Sequence, residues 1–209
     1  MARYAMAIDL TRCFGCQACA AACKVANNLP KQVAYNTVHT QGGAHTDTAA
    51  GQFPDCTLSY LPFQCQHCTD APCVEVCPTG ATQKRDDGIV WVDATQCIGC
   101  DSCIAACPYQ DDYRVRTHVS GEPEYYLDVV VGEADAPVHM AETVEKCTFC
   151  KNLVDRGEEP ACMQLCPARA RFWGDVEDPD SDVSKALERR EYKRINEEAG
   201  TEPNVYYLV

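Results

Sequence analysis

Sixteen of the chain's seventeen cysteines fall into four tight quartets, and any fold for this sequence has to explain them first. The quartets are Cys13, Cys16, Cys19 and Cys23; Cys65, Cys68, Cys73 and Cys77; Cys97, Cys100, Cys103 and Cys107; and Cys147, Cys150, Cys162 and Cys166. The third reads CIGCDSCIAACP, a C-x2-C-x2-C-x3-C-P run, and the first, CFGCQACAAACK, keeps that spacing without the proline. The second, CQHCTDAPCVEVCP, has two extra residues before its third cysteine. The fourth, CTFCKNLVDRGEEPACMQLCP, has eleven residues between its second and third.

Disulfides gain nothing from such spacing and belong to oxidising compartments. Structural zinc needs two C-x2-C pairs, so the close third cysteine and the fourth after x3 are surplus to it. A cubane iron–sulfur cluster needs three thiolates wrapped round one corner and a fourth from elsewhere. The x2, x2 spacing does that wrapping, and the cysteine after x3 points to a neighbouring cluster. Four quartets then hold four [4Fe–4S] clusters. Gly15 and Gly99, each one place before a second cysteine, can take positive φ and let N–H groups converge on an anion. Pro78, Pro108 and Pro167 follow a last cysteine and turn the chain away. Cys56, outside every quartet, reads as a buried or weakly reactive thiol.

Only 19 residues separate quartets two and three, and they read as a hairpin: Ala81–Lys84, a turn at Asp86-Asp87-Gly88, then Ile89–Val92. Motif, hairpin, motif is the layout of a two-cluster ferredoxin with exchanged fourth ligands. One cluster takes Cys65, Cys68, Cys73 and Cys107, and its neighbour takes Cys77, Cys97, Cys100 and Cys103. By elimination quartets one and four pair across the chain. Cys13, Cys16, Cys19 and Cys166 then hold one cluster, and Cys23, Cys147, Cys150 and Cys162 the other. If the x3 segment is helical, Cys19 and Cys23 lie about 6 Å apart along its axis, which forces their two clusters together.

The expected fold class is α+β: two pseudo-symmetric bacterial-ferredoxin-like modules, one inserted within the other, with long loops and β-hairpin insertions. Residues 1–64 plus 140–180 form the outer module and 65–110 the inserted one. Residues 111–139 form a hairpin insertion from the runs Tyr113–Val119 and Tyr125–Val131, and 181–209 a C-terminal helix and tail. Residues 2–9 read as a strand, Ala18–Ala26 as a helix, and 24–64 mostly as loop facing an interface. Asp182–Tyr192 reads as a surface helix, and the ending GTEPNVYYLV as an extended segment that packs on something.

The formal charge of −13 argues against nucleic acid or anionic lipid as the main partner. No stretch approaches the roughly 20 apolar residues of a spanning helix, and the first residues lack the layout of a cleavable signal. There is no phosphate loop, no Ser-His-Asp arrangement and no paired catalytic carboxylates, so no catalytic residue is expected. His67 reads as a hydrogen-bond donor near a cluster or as a solvent-facing side chain. Arg12, Lys24 and Lys146 flank ligand cysteines as candidate potential-tuning cations, Trp91 and Trp173 read as packing, and His39, His45, His118 and His139 look isolated.

With AIDLTRCFGCQACAAACK, FQCQHCTDAPCVEVCPTGAT, CIGCDSCIAACPY, and EKCTFC followed by CMQLCPARARFWGDVEDPDSDVS, nearly the whole chain resembles the four-cluster iron–sulfur (beta) subunits of the dimethyl sulfoxide reductase family of molybdenum/tungsten-pterin oxidoreductases. The ending PNVYYL is similar too. The same ligand exchange holds in that family. Related nitrate reductase subunits carry a non-cysteine residue at the place of Cys100; its presence here implies four complete cubes. The resemblance implies an electron-transfer subunit without substrate chemistry, pterin or flavin of its own. Its partners would be a large pterin-bearing catalytic subunit and, in some members, a membrane anchor that exchanges electrons with quinone. The expected location is cytoplasmic, or exported folded with a twin-arginine-bearing partner, with any membrane association made through a partner. The alternative is a freestanding or hydrogenase/formate-enzyme-associated polyferredoxin carrier.

Overall fold

The computed structural model describes residues 2–43, 45 and 47–209. Strand β1 (Tyr4–Asp9) leads into the first cysteine loop and helix α1 (Ala18–Ala26). Strands β2 (Asn36–Gln41), β3 (Ala50–Gln52), β4 (Asp55–Thr57) and β5 (Ser59–Gln64) follow. Next come the single turn α2 (Pro72–Glu75), the hairpin β6 (Thr82–Lys84) and β7 (Val90–Val92), and the short helices α3 (Ser102–Ala105) and α4 (Gln110–Tyr113). Strands β8 (Arg116–Val119) and β9 (Thr143–Lys146) precede α5 (Lys151–Asp155) and α6 (Ala161–Gln164). The last elements are β10 (Arg171–Asp175), α7 (Asp182–Arg189), β11 (Tyr192–Lys193) and β12 (Val205–Leu208).

The four-stranded sheet, in order β10-β1-β12-β11, is the frame. Strand β1 pairs antiparallel with β10 and parallel with β12, so residues from both ends of the described chain are neighbours. Alternation along β1 and β12 separates two cores, as the period of two requires. Met6, Ile8, Val205 and Tyr207 enter the main core among the buried cysteines. Ala5, Ala7, Tyr206 and Leu208 face Val183 and Ala186 of α7. The small alanines let that helix lie close to the sheet. Ser181 caps it, its hydroxyl accepting from the Ser184 N–H at 3.2 Å.

The remaining strands form two-stranded ladders, β2 with β5, β3 with β4, β6 with β7 and β8 with β9, giving a mixed α/β molecule. Helix α1 and the hairpin between quartets two and three stand where expected. Two expectations do not. Residues 24–64 are not mostly loop: β2 and β5 pair over six residues, with Val38 opposite Pro62. A proline inside β5 and polar residues along β2 hide a ladder that an edge position tolerates. The hairpin within 111–139 is also absent. Strand β8 pairs with β9, and Tyr125–Val131 has no strand. The segment around it instead reaches the end of α1, with Glu133 N–H donating to the Ala26 carbonyl and Val131 N–H to Asn28 Oδ1. β-prone residues pair only where a partner edge is offered.

Candidate metal centre

The residue before the second cysteine has positive φ in all four motifs: Gly15 at 72°, His67 at 45°, Gly99 at 63° and Phe149 at 52°. That turn bends the C-x2-C segment so that its two thiols face one side. A Cβ on Gly15 would lie 2.3 Å from the Tyr60 ring, and one on Gly99 2.4 Å from the Glu142 carbonyl oxygen, so only glycine fits at these two. The third cysteine of each motif then sits on a helix: Cys19 on α1, Cys73 on α2, Cys103 on α3 and Cys162 on α6.

Two cavities each gather three thiols of one quartet and the last cysteine of another. Cys13, Cys16 and Cys19 line a cavity with Cys166. Cys65, Cys68 and Cys73 line another with Cys107. Cys23 turns away from its own quartet-mates. Asn27 Nδ2 stands 3.6 Å from Cys23 Sγ and 3.7 Å from Cys150 Sγ. Burial pushes the Cys23 thiol well up, and Cys150, Cys147 and Cys162 add to that as charged neighbours. Cys77 is likewise a neighbour of Cys100, and both Cys73 and Cys97 of Cys103.

The donor chemistry fits iron–sulfur clusters better than a single ion. Among the described residues no three His, Cys, Asp or Glu side chains converge closely enough to hold one metal ion; the thiols wall cavities instead. None of the seventeen cysteines is in a disulfide. Backbone N–H groups donate to sulfur from Thr82 to Cys77 (3.3 Å), Val144 to Cys97, Phe149 to Cys147 and Ala170 to Cys166 (3.4 Å each), which favours the thiolate. Burial pushes the Cys68 and Cys162 thiols up to about 12 and Cys107 up to about 11. Such groups ionise at neutral pH when metal replaces the proton.

Several residues differ from their sequence readings. His67 does not face solvent. It is fully buried, its Nδ1 accepts from the Val90 N–H at 3.0 Å, and its ring stacks on Phe149 with centroids 3.6 Å apart. Burial, reinforced by Lys146 and Arg116, holds its pKa well below the usual range, so the ring is neutral. Cys56 is exposed, not buried. Of the isolated histidines, His118 bridges Asp101 and Glu142 at 2.6 and 3.2 Å, and His139 bonds Glu145 and the Asn27 carbonyl. His39 meets Thr37 at 2.8 Å and the edge of Tyr113.

Arg12 is half-exposed, and Lys24 Nζ donates to the carbonyls of Pro30, Lys31 and Val33. Lys146 is buried, its Nζ donating to the carbonyls of Val90 and Cys147. Trp173 stacks on Tyr4 as packing, and Trp91 lies under the Lys151 ammonium. The sequence reading missed Arg116 and Arg171, both buried beside cysteines; nothing in the sequence sets them apart from Arg114 and Arg169, two places earlier.

Residues 56–122 and 135–176 match the family model described as a 4Fe-4S dicluster domain. The whole chain is 44% identical to a Halobacterium salinarum protein assigned as a dimethyl sulfoxide reductase iron-sulfur subunit, covering 79% of that protein. It is 36% identical to the arsenate respiratory reductase iron-sulfur subunit of a Shewanella species, over 99% of this chain and 96% of the relative. A polysulfide reductase chain of Wolinella succinogenes is 39% identical, over 99% of this chain and 94% of the relative. With its cysteine sets and these full-length relatives, the protein belongs to the iron–sulfur electron-transfer subunits of the dimethyl sulfoxide reductase family of oxidoreductases.

Proposed function

We propose that this chain holds four [4Fe–4S] clusters, two in each of two nested ferredoxin-like modules, and relays electrons to or from a catalytic subunit carrying a molybdenum- or tungsten-bis-pterin cofactor. The observation that carries the reading is the exchange of cysteines between motifs, Cys166 beside Cys13, Cys16 and Cys19, and Cys107 beside Cys65, Cys68 and Cys73. When bound, clusters of this kind supply one-electron acceptance and release. The protein's part is to hold them in a row and keep water from the middle ones.

The cysteine sets support a linear order. Helix α1 carries Cys19 and Cys23 for the first and second sets. Cys147 of the second has Cys65 of the third as a charged neighbour, and Cys103 of the fourth has Cys73 of the third. At the seam between modules the buried His67 and Phe149 rings stack, two of the four equivalent positive-φ positions meeting face to face.

Both ends of the row differ from its middle. Around the exposed Cys16, Phe14 is 57% and Leu165 63% exposed; around the exposed Cys100, Ile98 is 64% and Val76 42% exposed. Of the corresponding inner positions, Gln66, Thr148 and Ala22 are buried and Ala106 is partly buried. Exposed apolar side chains round an exposed thiol suit docking of a protein partner at each end. One end would receive the catalytic subunit and the other the electron donor, a membrane anchor where there is one. The freestanding carrier is disfavoured because the relatives are themselves reductase subunits. We infer that the complex works in the cytoplasm or is exported folded with a twin-arginine-bearing partner.

Anaerobically purified protein should contain about 16 iron and 16 acid-labile sulfide, four of each per cubane. Stoichiometric zinc without labile sulfide would sink the assignment.

A further inference from the structure

Each proposed module buries one arginine between its two cysteine sets, and neither arginine has a carboxylate partner among the described residues. Arg171, on β10, is 4% exposed and lines the cavity of Cys13, Cys16, Cys19 and Cys166. Its Nη1 is also 3.8 Å from Cys162 Sγ, a thiol of the second set. Its other partners are neutral: Met6 Sδ at 3.1 Å, Gln64 Oε1 at 3.3 Å and Asn36 Oδ1 at 3.2 Å. Arg116, on β8, is 2% exposed and lines the cavity of Cys65, Cys68, Cys73 and Cys107. Both of its terminal nitrogens, Nη1 and Nη2, lack any hydrogen-bond partner. Its charged neighbours are Cys73, Cys65, Cys103 and Cys107, so it too stands between two sets. The two side chains arrive from different strands in different sheets.

A buried cation without an anion is strongly destabilising and is rarely kept. Nothing polar among the described residues answers the Arg116 terminal nitrogens, so the missing counter-charge belongs to what the thiols hold. Resting on the cluster reading above, we propose that Arg116 and Arg171 are fixed-charge positioning residues that raise the reduction potentials of the two clusters flanking each of them. Adding one electron, supplied by dithionite in a titration, makes a bound cluster more negative by one charge; no bond forms or breaks and no proton moves. A guanidinium beside two such sites favours the reduced form of both. Because it stays protonated at every accessible pH, its effect does not vary with pH. Lysine or histidine would not give that constancy.

The test is a redox titration of the cluster-loaded protein, followed by low-temperature paramagnetic resonance, with iron and sulfide assayed beforehand. Arg116→Gln should lower two of the four potentials by at least a tenfold change in the reduced-to-oxidised ratio, which is 59 mV for one electron. The other two should stay put, and Arg171→Gln should move the complementary pair. Arg116→Lys and Arg171→Lys, which keep a positive charge, should hold iron and stay near the wild-type potentials at neutral pH. Unchanged potentials in an iron-loaded glutamine variant overturn the proposal. So does a lysine variant that shifts as far as glutamine or loses its iron, since shape alone would then be at work. If glutamine variants lose iron while lysine variants keep it with wild-type potentials, the charge requirement stands. Wild-type protein without labile sulfide would defeat the cluster reading itself, before any variant is compared.

Discussion

Cys23 and Cys19 share one helix, yet their thiols belong to different neighbourhoods. Cys23→Ser should therefore disturb the resonance of the cluster held by Cys147, Cys150 and Cys162 and leave that of Cys13, Cys16 and Cys19 in place. Paramagnetic resonance of the reduced variant distinguishes the two, and the opposite loss would refute the pairing. The grouping of cysteines from different motifs was legible because it follows from local spacing, which survives in a one-dimensional string. Arg116, Arg171 and His67 were not, because their roles depend on burial, and burial is decided by elements far away in sequence. Tyr109 shows the same limit: its hydroxyl meets Thr201 at 2.8 Å across 92 residues.

Among the elements, those built from near-neighbour residues could be read directly: α1, the β6–β7 hairpin and the amphipathic α7. Ladders joined over longer spans could not. Strand β8 met β9 across a long connection, and β2 met β5 despite Pro62. The C-terminal strand β12 was foreseen as packing on something, but not as the parallel partner of β1. Its Leu208 is 1% exposed in the core beneath α7. Leu208→Ala should cost about 2–5 kcal/mol, measurable as a lowered unfolding midpoint under anaerobic conditions. Iron content should be retained at low temperature, because that core faces away from the cysteine cavities. Wild-type stability in this variant would mean that the sheet does not depend on the tail.

At the scale of the whole molecule, the proposed row of cysteine sets has two ends, and a complex would use them differently. The end built from quartets one and four should face the catalytic subunit, since it joins Phe14 and Leu165 to the acidic segment after β10. Crosslinks from that subunit in the native complex should cluster around residues 12–17 and 165–182. Crosslinks concentrated at residues 65–107 would reverse the orientation while leaving the row intact. The proposed nesting of one module within the other would also set an order in time. In the cavity shared by Cys13, Cys16, Cys19 and Cys166, 146 residues lie between Cys19 and Cys166. At about 5–20 residues per second, a ribosome needs roughly 7–30 s to cover that distance. All eight cysteines of the inserted module emerge during that interval, while the earliest thiols still lack their fourth companion. Synthesis thus exposes the first motif longest, and the molecule closes its beginning only after its middle has been made.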